Sequence, residues 1–185
     1  GEPMMNYKNV VDSIRKITSP DGLGMSPRRI TVSTSGIPKM IKMLADEDLK
    51  VKLALSLHTA IEHKRNMVMP FSEKFPLSEV MESLQYWYQK TKSIITFEYC
   101  VWGGINDTDE DIKALIKFCR QVPSKVNLIQ YNPIGEGKYD HRNTLAEERY
   151  IQELEKAGIT IVVRRSRGGD IDAACGQLAN KKTNN

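Results

Sequence analysis

Cys175 is the residue whose surroundings most favour covalent chemistry. It follows the run Arg164-Arg165-Ser166-Arg167-Gly168-Gly169, in which glycines allow unusual backbone angles and nearby arginines would favour a thiolate. One reading of the residues alone is a nucleophilic Cys175 with His58 as its base. The other two cysteines, Cys100 and Cys119, lie 19 residues apart, and Cys175 lies 56 beyond. That spacing offers neither a disulfide framework nor a short-spaced metal knuckle. Cys119 falls on the apolar side of a helical run and Cys100 inside an apolar strand, so both are read as core residues.

Polar residues of a second kind recur just where apolar strands end. Ser33 with Thr34 and Ser35, the trio Ser56, Leu57 and His58, the glycines after Trp102, and Asn132 before Pro133 all stand there. Hydroxyl and imidazole donors suit an oxygen-rich ligand, and an asparagine both donates and accepts. Near the start, Gly1-Glu2-Pro3 offers a carboxylate that would accept charge-assisted bonds from a cationic group. Taken singly, each has a plainer role: Glu2 as a solvated acid in a turn, His58 as a ring satisfied by a carbonyl, Asn132-Pro133 as a turn.

The elements that must position these groups alternate. Strands are predicted at 29–33, 51–57, 94–101, 126–130 and 159–164. Helices are predicted after Asn6, from Pro38 to just before Asp46, over 77–92, after the cap Thr108, and over 145–157. The stretch 59–76 reads as irregular. Near-continuous apolar strands alternating with amphipathic helices argue for a parallel sheet covered by helices. In such folds the C-terminal strand ends carry the ligand site. Tyr86, Trp87 and Tyr88 are adjacent aromatics, but on an amphipathic helix Trp87 and Tyr88 read as packing residues rather than a base-stacking platform.

The 185 residues suit one domain or a large piece of one, and a net charge of +4 permits a nucleic-acid partner without requiring one. There is neither an apolar run of membrane-spanning length nor a signal-peptide pattern at the start, so the expected location is cytoplasmic.

Several segments in order carry a specific resemblance: Gly1-Glu2-Pro3 with Asn6-Tyr7, the run 28–36, Leu55-Ser56-Leu57-His58, Asn127-Leu128-Ile129 with Tyr131-Asn132-Pro133, and the run 170–178 around Cys175. Together they resemble the C-terminal part of the RlmN/Cfr-type radical S-adenosylmethionine (radical SAM) RNA methyltransferases, from residue 1 to about 179. Asp172 favours the RlmN branch.

The resemblance implies an α/β fold, the C-terminal part of a partial (β/α)6 radical SAM barrel with parallel strands. Residues 1–185 would form one barrel segment lacking its first strands, with 180–185 a disordered tail. It implies S-adenosylmethionine bound through Gly1, Glu2, Ser33, Ser56, Leu57, His58 and Asn132. A 4Fe-4S cluster would be held by a Cys-x3-Cys-x2-Cys loop upstream, since the three cysteines present cannot form that triplet.

In the family the cysteine matching Cys175 is methylated by one S-adenosylmethionine. A 5′-deoxyadenosyl radical made from a second takes hydrogen from that methyl group, and the carbon radical adds to adenine C2. The implied partners are 23S rRNA, also tRNA, and a reductant protein for the whole enzyme, with no membrane. The arginines from 164 to 167 would contact RNA phosphate. Without cluster cysteines the chain alone is expected to be inactive. The alternatives are an RNA-binding module without chemistry and a Cfr-like adenine-C8 methyltransferase.

Overall fold

The structure is a computed structural model that describes residues 1–129 and 143–164. After a short 3-10 turn over Pro3–Asn6 the chain forms α1 (Tyr7–Thr18), β1 (Thr31–Thr34), α2 (Pro38–Asp46), β2 (Lys52–Ser56), α3 (Glu62–Val68) and α4 (Leu77–Thr91). It continues with β3 (Ile95–Cys100), α5 (Asp109–Cys119), β4 (Ser124–Ile129), α6 (Thr144–Lys156) and β5 (Ile161–Arg164). The five strands form one parallel sheet in the order β1-β2-β3-β4-β5. The sheet is open, with β1 and β5 at its two edges.

Strands added in chain order through crossovers of one hand place every helix on the same face. That face is apolar. Val32, Leu53, Leu55, Ile95, Phe97, Tyr99, Val126 and Leu128 point into it and are buried, packed with Val80, Leu84 and Trp87 of α4, Leu115 and Phe118 of α5, and Tyr150 and Leu154 of α6. Phe97 meets Phe118 edge-on, with ring centroids 5.3 Å apart. Fully burying one such side chain contributes about 1.5–3 kcal/mol. Successive strand residues alternate faces, so the opposite face carries a polar set. By register Ser56 lies beside Glu98, and Glu98 beside Asn127.

Local signals account for the boundaries. Thr108 and Asp111 form a reciprocal capping box at the start of α5, a device that stabilises a helix by about 1 kcal/mol. The buried Asp111 also receives Lys64 Nζ at 2.7 and 2.8 Å, tying α3 to α5. Lys92 closes α4 in the left-handed conformation. Asn6 precedes α1 but makes no side-chain cap; Glu2 instead caps the preceding 3-10 turn.

Two expectations need correction. The stretch 59–76 is not irregular, because it contains α3 and a 3-10 turn over Pro70–Lys74. No apolar period reveals α3, since its buried residue is Arg65. The first strand begins at Thr31 rather than Arg29, because Pro27–Arg29 closes a 3-10 turn. The tail 180–185 and the end of the predicted fourth strand, Gln130, lie outside the described residues.

Candidate functional site

Gly1, Glu2, Ser33, Thr34, Ser35, Ser56 and His58, with Met5, Met69 and Phe71, line one cavity of about 380 Å³ at the C-terminal ends of β1 and β2. Five residues singled out from the sequence, Gly1, Glu2, Ser33, Ser56 and His58, therefore share one wall system despite lying up to 57 positions apart. Leu57 stands differently: its side chain is fully buried in the core, as its position between two cavity-facing neighbours requires, and its N–H donates to the Glu98 carbonyl at 3.0 Å. Asn132 and Cys175 lie outside the described residues.

The Glu2 carboxylate is filled by donors of the chain itself. Oε1 accepts from the Met4 N–H (2.9 Å) and the Thr34 hydroxyl (2.8 Å), and Oε2 from the Ser35 N–H and hydroxyl, both at 2.6 Å. Four donors match the roughly four lone-pair sites of a carboxylate. In this arrangement Glu2 fastens the first residues to the end of β1 and so forms the cavity wall. Gly36 follows with φ +98°, and a Cβ there would come within 2.9 Å of Leu55 Cδ1. Glycine therefore lets the chain turn closely over β2.

Arg65 supports this turn from beneath. It is fully buried, and its Nη2 donates to the Ser35 carbonyl at 2.6 Å. Nε and Nη1 have no partner. Burial lowers the guanidinium to about 10.

His58 sits at the end of β2 with φ +58°, uncommon for a residue carrying a Cβ. Its N–H donates to the Glu98 carbonyl (3.2 Å) and its carbonyl accepts from Asn106 Nδ2 (2.7 Å). The ring lies against Trp102 with centroids 5.4 Å apart, and the buried Nδ1 has no partner. Desolvation by burial, reinforced by the Arg65 charge, lowers its pKa to about 4. The imidazole is therefore neutral at pH 7, a hydrogen-bonding group rather than a cation.

Sequence reading assigned no role to Asn106 or Arg65. Asn106 is fully buried and also binds the Cys100 carbonyl (2.8 Å) and the Trp102 N–H (2.7 Å). The only signal available was Asn106-Asp107 after a glycine pair. Arg65 had none, since a charged residue in an irregular-looking stretch reads as solvated.

Cys100 and Cys119 are buried as expected, and burial pushes both thiols up to about 12. Neither suits a thiolate ligand, and among the described residues no group of three His, Cys, Asp or Glu side chains is placed to hold a metal. A 4Fe-4S cluster does not fit this set of residues. The cavity does fit a polar, nucleoside-sized ligand: it is lined by Ser33 and Ser56, which carry hydroxyls, and by His58. Arg164 is exposed at the end of β5, and the basic run after it lies outside the described residues. Trp87 is buried, and the Tyr86 hydroxyl donates to Asp46. No helix among the described residues is long and apolar enough to cross a membrane.

No family model matches the chain. Known proteins nonetheless resemble it closely. A protein named as a probable dual-specificity RNA methyltransferase RlmN from Christiangramia forsetii is 61% identical over 98% of this chain and 51% of its own length. The crystal structure of a radical SAM methyltransferase from Sphaerobacter thermophilus superimposes with a TM-score of 0.91 at 37% identity, covering 96% of this chain and 52% of that one. Streptococcus suis SuiB, crystallised with S-adenosylmethionine, shares the fold at a TM-score of 0.63 and 12% identity, over 90% of this chain and 38% of that one.

The open parallel sheet with helices on one face is the fold of part of a radical SAM methyltransferase of known structure, and the polar cavity lies at its strand ends. Its sequence corresponds to one part of the proteins named RlmN, up to 61% identical over 98% of this chain. The chain spans about half the length of the curated relatives it matches.

Proposed function

We propose that this chain is the S-adenosylmethionine-binding C-terminal barrel segment, residues 1–185, of a cytoplasmic radical SAM methyltransferase that modifies adenine C2 in 23S rRNA and in tRNA. The observation that carries the reading is the convergence of Gly1, Glu2, Ser33, Ser56 and His58 on one cavity at the strand ends. The RlmN names of the relatives supply the RNA substrates. The resemblance adds Leu57 and Asn132 to the ligand contacts and makes Cys175 the methyl carrier.

In this reading each residue has a physical task. Glu2, saturated by Met4, Thr34 and Ser35, holds the Gly1 backbone at the cavity, where its carbonyl is available to an ammonium group. The Ser33 and Ser56 hydroxyls donate to ligand oxygens, or accept from ribose hydroxyls. His58, neutral at pH 7, offers a donor or acceptor nitrogen without repelling a cationic sulfonium ligand. Leu57 contributes through its backbone, which is fixed to Glu98. A 4Fe-4S cluster, held by cysteines outside this chain and fed by a reductant protein, would supply the electron for reductive cleavage. The chain alone is therefore inactive.

The test is made on a chain of the relatives' full length, with its cluster loaded. Incubation with S-adenosylmethionine, reductant and a 23S rRNA fragment is expected to give 2-methyladenosine and a methylated Cys175 peptide, and Ser33→Ala with Ser56→Ala is expected to raise the S-adenosylmethionine Kd about tenfold or more. Methylation at C8, or no methylation of RNA at all, would overturn the reading.

A further inference from the structure

Glu98 lies in β3, the middle strand of the sheet, and its neighbours Phe97 and Tyr99 face the helices and are fully buried. Alternation therefore puts Glu98 on the opposite, polar face, in register between Ser56 of β2 and Asn127 of β4. Its Oε1 accepts from Asn127 Nδ2 at 3.0 Å. Its Oε2 is buried and has no hydrogen-bond partner, and among the described residues Glu98 makes no ion pair. The nearest cation by register on that face, Lys125, lies one step back towards the strand start, paired with Thr96. A desolvated carboxylate oxygen without a partner is costly and is retained where something else completes it. The Glu98 carbonyl also receives the N–H groups of Leu57 and His58, so the residue that carries this carboxylate also fixes the cavity's edge.

We propose that Glu98, oriented by Asn127 and beside the cavity residue Ser56 in register, sets the charge preference of the ligand site and selects a nucleoside ligand bearing positive charge over its uncharged counterpart. The inference rests on the reading of the cavity as an S-adenosylmethionine site. It assigns to Glu98 what the saturated Glu2 carboxylate cannot give, a free anionic oxygen. Coulomb attraction in a partly desolvated site makes such an oxygen sensitive to ligand charge.

S-adenosylmethionine and S-adenosylhomocysteine share adenosine and amino-acid parts and differ by a methyl group and the sulfonium charge. Calorimetric Kd values for both are measured on the full-length, cluster-loaded enzyme and its Glu98→Gln variant. Glu98→Gln is expected to narrow the preference for the sulfonium by about tenfold, leaving S-adenosylhomocysteine affinity within about twofold. Equal loss for both ligands, as a merely structural role would give, or an unchanged ratio, overturns the proposal. Asn127→Ser keeps the carboxylate but removes its anchor. It is expected to narrow the ratio by a smaller factor, and an unchanged ratio there overturns the proposal even if Glu98→Gln does not fold. Should the unmodified enzyme bind neither ligand, the reading of the cavity falls and this proposal with it; binding of both at equal affinity overturns the proposal alone.

Discussion

The side-chain amide of Asn106 donates to the carbonyl of His58 at 2.7 Å, across 48 residues of chain. With its remaining bonds to Cys100 and Trp102, Asn106 locks the end of β2 to the loop after β3. The Tyr150 hydroxyl, 3.0 Å from that of Tyr99, donates to the Asn106 carbonyl at 2.6 Å. The positive φ of His58 is thus held by a buried network from three elements. Asn106→Ala removes all three of these side-chain hydrogen bonds and is expected to cost about 3 kcal/mol, read as a lower urea midpoint with unchanged slope. A loss below about 1 kcal/mol would show the network to be dispensable.

Protonation of His58 links stability to pH. Its folded pKa, about 4, lies below the ordinary histidine value of 6.5, so above pH 6.5 both folded and unfolded states are neutral and nothing is lost. As pH falls from 6.5 towards 4, the unfolded state takes up the proton first and stability declines, by about 3 kcal/mol in all. Urea titrations at pH 7, 5.5 and 4 should show this decline, and His58→Gln should remove that part of it. Arg65→Met, which deletes the charge that adds to desolvation in lowering the His58 pKa, should raise it in an NMR titration; an unchanged or lower value would contradict the assignment.

Glu2 is expected to act locally. Glu2→Ala removes the acceptor of four donors and should accelerate hydrogen exchange of the Met4 and Ser35 amides, while the amides of β3 exchange as before. Uniform acceleration throughout the sheet would mean that the carboxylate supports the whole fold rather than the cavity wall.

Cys100 and Cys119 should be chemically silent. With thiols pushed up from 9.0 to about 12, the thiolate fraction at pH 8 is lower by a factor on the order of a thousand. Iodoacetamide should label neither residue in the folded protein and both in urea. Rapid labelling of either in the folded state would contradict its burial.

Much of the architecture was legible because its causes are local and periodic. The α4 run, with Val80, Leu84 and Trp87 on one face, and the cap Thr108 announced their helices with boundaries close to those observed. The apolar runs of β2 and β3 announced strands buried in a parallel sheet. α3 was invisible for the converse reason: the residue it buries is an arginine, whose desolvation is partly offset by the Ser35 carbonyl and the nearby Glu62 charge.

For the site, the sequence by itself determined which residue types stand after each strand. The parallel order of the sheet then brings those strand ends to one edge, which places Ser33, Ser56 and His58 together, while Gly1 and Glu2 were named through the resemblance alone. Only the tertiary structure decided how their valences are spent. Glu2 is a carboxylate in either description, but four donors from Met4, Thr34 and Ser35 make it a fastener of the cavity wall. Glu98 is a mid-strand acid in either description, but register beside Asn127 and the lack of a second partner leave one oxygen free. Hydrogen-bond saturation depends on atoms brought together from distant segments, which composition and periodicity do not encode.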